Sequence, residues 1–368
     1  MELRVELKKV VDDSYDIVIG HSLTEQCADD IAGGLLGAER IALVTDSNVL
    51  PLYAEPIAEA LKKRGLEVHI FTIPAGEESK TRQMKEFVED GMLEAGLRRD
   101  CAVLAVGGGV VTDLAGFVAG TFGRGVPFAN YATTLLAAAD ASVGGKTAVD
   151  TPLATNLIGL FNQPKRVYID IDAWKTLPRR QLASGLSETI KHGCLGDIEL
   201  FEYLEQNVAK IFDCDIEACE YIAGRNCAVK YNVVMKDELE SGLREVLNLG
   251  HTVGRAIETL SGYRLLHGEA VGIGMAAQAR LGVKLGYMTE EQAERVIALY
   301  NAAELPTAIP DYIDRTELVK KLYTDKKVRG GKLRFVFQRG IGDVVEFEDG
   351  KFSTPIAEEQ IAEVLEEM

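Results

Sequence analysis

The 368-residue chain is poor in histidine, with five, and in tryptophan, with one. Positive charge is also short: 40 Lys and Arg stand against 57 Asp and Glu, a formal net charge of -17. That deficit argues against a nucleic-acid surface, which needs clustered Lys and Arg to displace counterions from phosphates. An acidic protein that handles anions must build a local positive pocket against its own field. No apolar run approaches the roughly 20 residues of a membrane-spanning helix. No CxxC pair occurs among Cys27, Cys101, Cys194, Cys214, Cys219 and Cys227, and their spacing fits no zinc finger, so buried free thiols are expected. The first residues alternate like a strand instead of resembling a secretory signal, so a cytosolic address is expected.

The length exceeds one ordinary core and suits two domains with a cleft between them. In the first half, apolar β-rich runs alternate with helical patterns. Residues 41–44 end in Thr45-Asp46-Ser47-Asn48, 68–73 in Pro74-Ala75-Gly76-Glu77, and 101–106 in three glycines. Continuous apolar strands with helices between them predict a Rossmann-like parallel sheet covered on both faces, with ligands outside the strand carboxyl ends. Residues 178–300 read almost wholly as helix, with breaks expected at Gly193, Gly242, Gly250 and Gly262. Strands at 333–337 and 344–347 and an acidic helix close the chain. The division is placed at Thr176, giving an α/β domain over 1–176 and a mainly α-helical domain over 177–368.

Gly107-Gly108-Gly109-Val110-Val111-Thr112-Asp113 lies between a buried strand and a helix. Glycines there let a backbone approach an anion, and a helix start offers free N–H groups, so a pyrophosphate fits. It is not the G-x-G-x-x-G fingerprint, and a turn required only for packing accounts for three glycines equally well. Thr133 and Thr134 stand to add hydroxyls to the same phosphates. Ser142-Val143-Gly144-Gly145-Lys146-Thr147 lacks the first glycine of a P-loop, which removes an ATPase reading. Lys146, downstream of Asp140, suits an anion-binding ammonium poised by that carboxylate, while Asp140 alone suits a turn cap.

His251 and His267 each stand beside a glycine at an expected helix start, a setting suited to a metal. Glu188 and His192 are one helical turn apart. By itself such a pair is a solvated helix face or a core-edge histidine; beside two histidines in need of a third partner, Glu188 completes the His₂Glu set of catalytic zinc.

The motifs TDSNV, PAGEESKT, GGGVVTDLAGF, TTLLAAADASVGGKT, NLIGLFNQPK, TLPRRQLASGLSETIKHG, GLREVLNLGHTVG, LHGEAVGIGM and DKK occur in order along the chain. Over nearly its full length the sequence resembles the 3-dehydroquinate synthase family of the sugar-phosphate cyclases, NAD- and zinc-dependent enzymes of the shikimate pathway. The resemblance implies conversion of 3-deoxy-arabino-heptulosonate 7-phosphate to dehydroquinate and phosphate by transient oxidation, elimination, reduction, ring opening and an intramolecular aldol. It places metal ligands at Glu188, His251 and His267, with cobalt an alternative to zinc. Dinucleotide contacts fall on Asp46, Glu77, Lys80, Gly108, Gly109, Asp113, Thr133, Thr134 and Thr176, with Lys146 and Thr155 at the same edge. Catalytic and substrate positions fall on Asp140, Lys146, Asn156, Lys191, Lys230, Arg244, Asn248 and the pair Lys326 and Lys327. Arg124 matches an arginine that the family supplies from a neighbouring subunit, which implies a homodimer.

There are three departures, and the first two touch the same substrate region. Thr155 stands where the family commonly has a lysine, Arg255 where it has a second histidine, and Ala132 where it has a proline. The expectation is that Arg255 restores the cation lost at Thr155 at the phosphate end of the pocket and takes part in catalysis. A related cyclase acting on another heptulose phosphate or an aminated analogue is the first alternative; retention of Lys230 and Arg244, partners for a carboxylate, favours the synthase. A metal-dependent polyol dehydrogenase is a second alternative, since Glu188 with His192 imitates its Asp-x-x-x-His pair. A non-catalytic binding protein is a third, disfavoured by the intact ligand set.

Overall fold

The computed structural model describes residues 4, 6, 7, 11–323, 333–348 and 350–368. In chain order the first half runs β1 (Asp16–Gly20), α1 (Thr24–Ala32), β2 (Arg40–Asp46), α2 (Glu55–Lys63), β3 (Glu67–Ile73), α3 (Arg82–Glu94), β4 (Cys101–Gly107), α4 (Gly109–Thr121) and β5 (Phe128–Ala132). A hairpin follows, β6 (Lys146–Thr151) and β7 (Ala154–Phe161), and then β8 (Arg166–Asp170). Strands β1, β8, β5, β4, β2 and β3 lie in that order in one parallel six-stranded sheet.

The apolar runs are continuous because both faces are covered. In β2, Ile41 and Leu43 pack with Leu104, Ile31 of α1 and Leu61 of α2. Ala42 and Val44, pointing the other way, pack with Val103, Met92 of α3 and Leu114 of α4. From β2 the chain crosses to β3 on one side, then returns past β2 to β4 and on to β5. The crossover direction therefore reverses at the carboxyl ends of β2 and β4, where a doubly wound sheet opens a crevice. Thr45 pairs with Val106, so Asp46 and the glycine segment flank that crevice.

A 3₁₀ turn over Ile171–Thr176 leads into the helical half: α5 (Arg179–Gly196), α6 (Ile198–Phe212), α7 (Ile216–Lys236), α8 (His251–Leu260), α9 (His267–Lys284), α10 (Glu290–Ala302) and α11 (Arg315–Leu322). Strands β9 (Arg334–Val336) and β10 (Ser353–Pro355) and α12 (Glu358–Glu366) complete it. One core runs from Ile169 and Trp174 through Leu186 and Ile190 of α5 to Val271 and Met275 of α9, so sheet and helices are packed together.

Three expectations about elements are corrected. Described residues before Asp16 form no strand; the first begins only where β8 supplies a ladder. Gly193 does not break a helix but sits inside α5, where a Cβ would come within 3.0 Å of Phe201. Residues 344–347 contribute a single bridge at Val344, and the partner of β9 is β10. Alternation alone does not choose between two candidate partners; the packing of the closing segment does.

Candidate active site

At the crevice, α4 starts at Gly109 with no side chain capping its first turn. A Cβ on Gly108 would lie 3.0 Å from Thr134 Cγ2, and one on Gly107 2.7 Å from Val111, so the bare backbone is required sterically. Packing and anion cradling thus coincide here. Thr133 follows β5 directly, its N–H donating to Gly107 O, and its hydroxyl is buried without a partner. An uncapped helix start beside an orphaned hydroxyl fits the phosphates of a dinucleotide. Lys80 Nζ pairs with Asp113 Oδ2 at 2.6 Å and approaches Glu77 Oε1 at 3.6 Å. Asp46 Oδ1 accepts the N–H groups of Asn48 and Val49, closing the turn after β2, and the Thr176 hydroxyl meets Tyr53 Oη at 3.0 Å.

The second feature is a buried carboxylate. Glu188 in the middle of α5 is fully buried, and neither oxygen has a sound hydrogen bond. His251 Nε2 and His267 Nε2 each lie 3.5 Å from its Oε1. Ligands about 2.1 Å from a tetrahedral zinc ion stand about 3.4 Å apart, so these separations suit a shared metal better than hydrogen bonds. The outer ring nitrogens are held: His251 Nδ1 by Leu249 O at 3.1 Å and His267 Nδ1 by Glu258 Oε2 at 3.3 Å. Such contacts set the tautomer and aim the inner nitrogen inward.

Both histidines are the first residues of their helices. Gly250, before α8, has φ 75°, and a Cβ there would meet Met275 Cγ at 2.7 Å, so glycine is needed to turn His251 toward α5. Burial works to raise the Glu188 carboxyl, but Lys191, His251 and His267 outweigh it and hold it well below the usual range. Burial works to lower His267, yet Glu258 and Glu188 raise it to about 10. His251 is pushed down by burial and Lys191. The carboxylates thus favour positive charge beside His267 while burial keeps His251 neutral, and a divalent cation would supply that charge with both imidazoles neutral.

This cluster borders a cavity of about 350 Å³ whose walls include Asp140, Lys146, Asn156, Lys191, Lys230, Arg244, Asn248, His251 and Arg255. Lys191 pairs with Glu188 and donates to Leu247 O at 2.9 Å. Lys230 on α7 donates to both the carboxylate and the carbonyl of Asp140; burial lowers it, against the pull of that carboxylate. Arg244, 1 % exposed, donates to the carbonyls of Glu238 and Gly144. The 3₁₀ turn Leu243–Asn248 that carries Arg244 is pinned by Asp237, whose carboxylate accepts the N–H groups of Ser241, Gly242 and Arg244.

Lys146 is poised by a different carboxylate from the one expected. Its Nζ lies 2.6 Å from Glu240, whose other oxygen accepts from Asn248 Nδ2 at 2.9 Å, while Asp140 belongs to Lys230. Asn156 adopts φ 54° at the cavity wall, whereas Thr155 is not among the lining residues. Arg124 is exposed and lies outside the cavity. Lys326 and Lys327 lie outside the described residues. His192 Nδ1 meets Asn226 Oδ1 at 3.0 Å, and its buried Nε2 has no partner. Glu240, Glu258 and Asp237 escaped the reading of the chain. The spacing of Glu258, seven residues after His251 and nine before His267, was the one available sign.

Residues 70–184 match the 3-dehydroquinate synthase N-terminal family and residues 185–328 the 3-dehydroquinate synthase C-terminal family. The 3-dehydroquinate synthase of Pelobacter propionicus is 47% identical over 91% of this chain and 93% of its own. That of Caldanaerobacter subterraneus is 45% identical over 93% of this chain and 95% of its own. Among solved structures, the 2-epi-5-epi-valiolone synthase of Streptomyces hygroscopicus, with NAD+ and Zn2+ bound, is 31% identical, covers 99% of both chains and superposes with a TM-score of 0.89. A 2-deoxy-scyllo-inosose synthase complexed with carbaglucose-6-phosphate, NAD+ and Co2+ is 27% identical over 95% of this chain and 96% of its own, with a TM-score of 0.86. A probable glycerol dehydrogenase from Sinorhizobium meliloti, 16% identical over 96% of this chain and 95% of its own with a TM-score of 0.66, shares the fold. With relatives at this identity over nine-tenths of its length, the chain belongs to the 3-dehydroquinate synthase family.

Proposed function

We propose that the cavity converts 3-deoxy-arabino-heptulosonate 7-phosphate to 3-dehydroquinate and phosphate, using NAD at the β2–β4 crevice and a divalent metal at Glu188, His251 and His267. The carrying observation is the fully buried Glu188 carboxylate, whose Oε2 pairs with Lys191 while its Oε1 faces two oriented imidazoles at the edge of a cation-lined cavity. When bound, NAD accepts and returns a hydride, and zinc or cobalt acidifies the hydroxyl to be oxidised.

The chain's own residues position the substrate around that chemistry. Arg244 presents a rigid guanidinium to the substrate carboxylate, with Lys230 as a second positive charge anchored by Asp140. Lys146, Asn248 and Asn156 receive the phosphate, joined by Arg124 of a second copy, so the working unit is a homodimer. Lys191, between Glu188 and the cavity, holds a proton near the reacting hydroxyl. Lys326 and Lys327 stand as further contacts on the strength of the family resemblance. The absence of a membrane-length apolar helix among the described residues accords with a cytoplasmic enzyme.

A heptulose phosphate with no carboxylate, one of the two substrate types of the first alternative, would leave buried Arg244 without an anion, a costly arrangement. Purified protein supplied with NAD, zinc and the heptulosonate phosphate is expected to release phosphate and dehydroquinate in equal amounts without accumulating NADH. Release only from a neutral sugar phosphate would move the assignment to that alternative, and net NADH formation from a simple polyol to a dehydrogenase.

A further inference from the structure

We propose that Phe161 is a positioning residue that fixes the plane of the Arg244 guanidinium and so selects a substrate bearing a carboxylate, a role that rests on the reaction proposed above. Phe161 closes β7 and stands opposite Lys146 of β6 in the antiparallel ladder. Directly opposed residues share a face, so both side chains leave the hairpin toward the cavity they help to line. There Lys146 meets Glu240, and the Phe161 ring faces Arg244, whose Cζ lies 5.6 Å from the ring centroid. Both contacts reach from the α/β half to the segment after α7, which Gln163 also holds through Glu238 Oε1 at 2.9 Å. A ring that is 40 % exposed in a cation-lined cavity does not serve as core filling. The guanidinium beside it accounts for its place.

Arg244 donates from Nη1 to Glu238 O and from Nη2 to Gly144 O at 2.7 Å, while its buried Nε has no hydrogen-bond partner among the described residues. A Cβ on Gly144 would lie 2.6 Å from Nη2, so the guanidinium can sit there only beside glycine. Two hydrogen bonds leave a planar group free to tip about the line joining its acceptors. A ring beside the guanidinium removes that freedom, and the attraction grows where water is excluded. The remaining N–H groups are then presented to the substrate at one angle. A planar carboxylate that accepts two parallel N–H bonds depends on that angle, whereas a phosphate, whose oxygens point several ways, is tolerant of it. Phe161 therefore acts on recognition of the substrate carboxylate and leaves the phosphate to other residues.

Phe161→Leu keeps an apolar side chain at the site and removes the ring. In zinc- and NAD-loaded protein it is expected to weaken binding of dehydroquinate, which has the carboxylate but no phosphate, about three- to tenfold, the size of a cation–π contact. KM for the heptulosonate phosphate should rise by a similar factor, with kcat changed less. Affinity for inorganic phosphate and for NAD should stay within twofold. Phe161→Tyr, which keeps the ring, should recover most of the loss. Unchanged dehydroquinate affinity in Phe161→Leu overturns the proposal. So does an equal loss for dehydroquinate and inorganic phosphate, which marks general damage to the cavity wall, or an equal loss in Phe161→Leu and Phe161→Tyr. Phe161→Met carries the same expectations if Phe161→Leu fails to fold. If wild-type protein does not turn over the heptulosonate phosphate while dehydroquinate binding still falls in Phe161→Leu, the reaction assignment fails and the positioning role stands.

Discussion

Single residues in this protein matter through the partners that burial forces on them. Glu258 shows this for the metal site. It touches no cavity wall, yet it holds His267 Nδ1 at 3.3 Å. Loss of such an outer partner typically costs about 10–100-fold in metal affinity. Glu258→Gln is therefore expected to release zinc about 10–100-fold more readily in a chelator competition, with NAD binding unaffected. His192 makes the corresponding case for pH. Burial, aided by Lys191, depresses it from 6.5 to about 4, so the folded state holds it neutral. The stability this confers is complete above about pH 6.5 and is lost as pH falls toward 4, by ~3 kcal/mol at most. Denaturation midpoints of metal-free protein across that window should fall for wild type and flatten for His192→Gln; parallel slopes would contradict the neutral assignment.

At the scale of elements, the site depends on how closely α8 and α9 approach. A Cβ on Gly274 of α9 would lie 2.0 Å from Gly250 O and 2.8 Å from Gly254 N, both backbone atoms that cannot step aside. Gly274→Ala is expected to lower unfolding free energy by about 3 kcal/mol and to spoil zinc binding together with it, since the two histidines ride on these helices. Equilibrium urea denaturation alongside metal analysis checks both. Most of these elements were legible in the chain. Buried parallel strands are apolar throughout, and helix starts at His251 and His267 follow from glycine and the onset of periodicity. The strand expected at 344–347 was not, because short alternating segments pair with whatever edge the packed core presents.

For the whole molecule, the position of Arg124 is decisive. It is exposed, has φ 71° and stands away from the cavity of its own chain. If a second copy supplies it, Arg124→Ala and Glu188→Gln should each be nearly inactive alone. Mixed dimers should regain activity, because one of their two sites then holds an intact Glu188 with an arginine from across the interface. No recovery after subunit exchange, verified by sedimentation, would return Arg124 to a local structural role.

Residue type and local pattern along the chain sufficed for the family, the parallel sheet and the three candidate metal ligands, because apolar runs, glycine-flanked histidines and ordered motifs are visible without knowing what packs against what. Which carboxylate meets which cation was decided only by the tertiary structure. Asp140 stands six residues before Lys146 yet pairs with Lys230, ninety positions away, while Lys146 is held by Glu240 from the turn after α7. Buried charges take the partner that packing brings within reach, and sequence distance has no bearing on that choice.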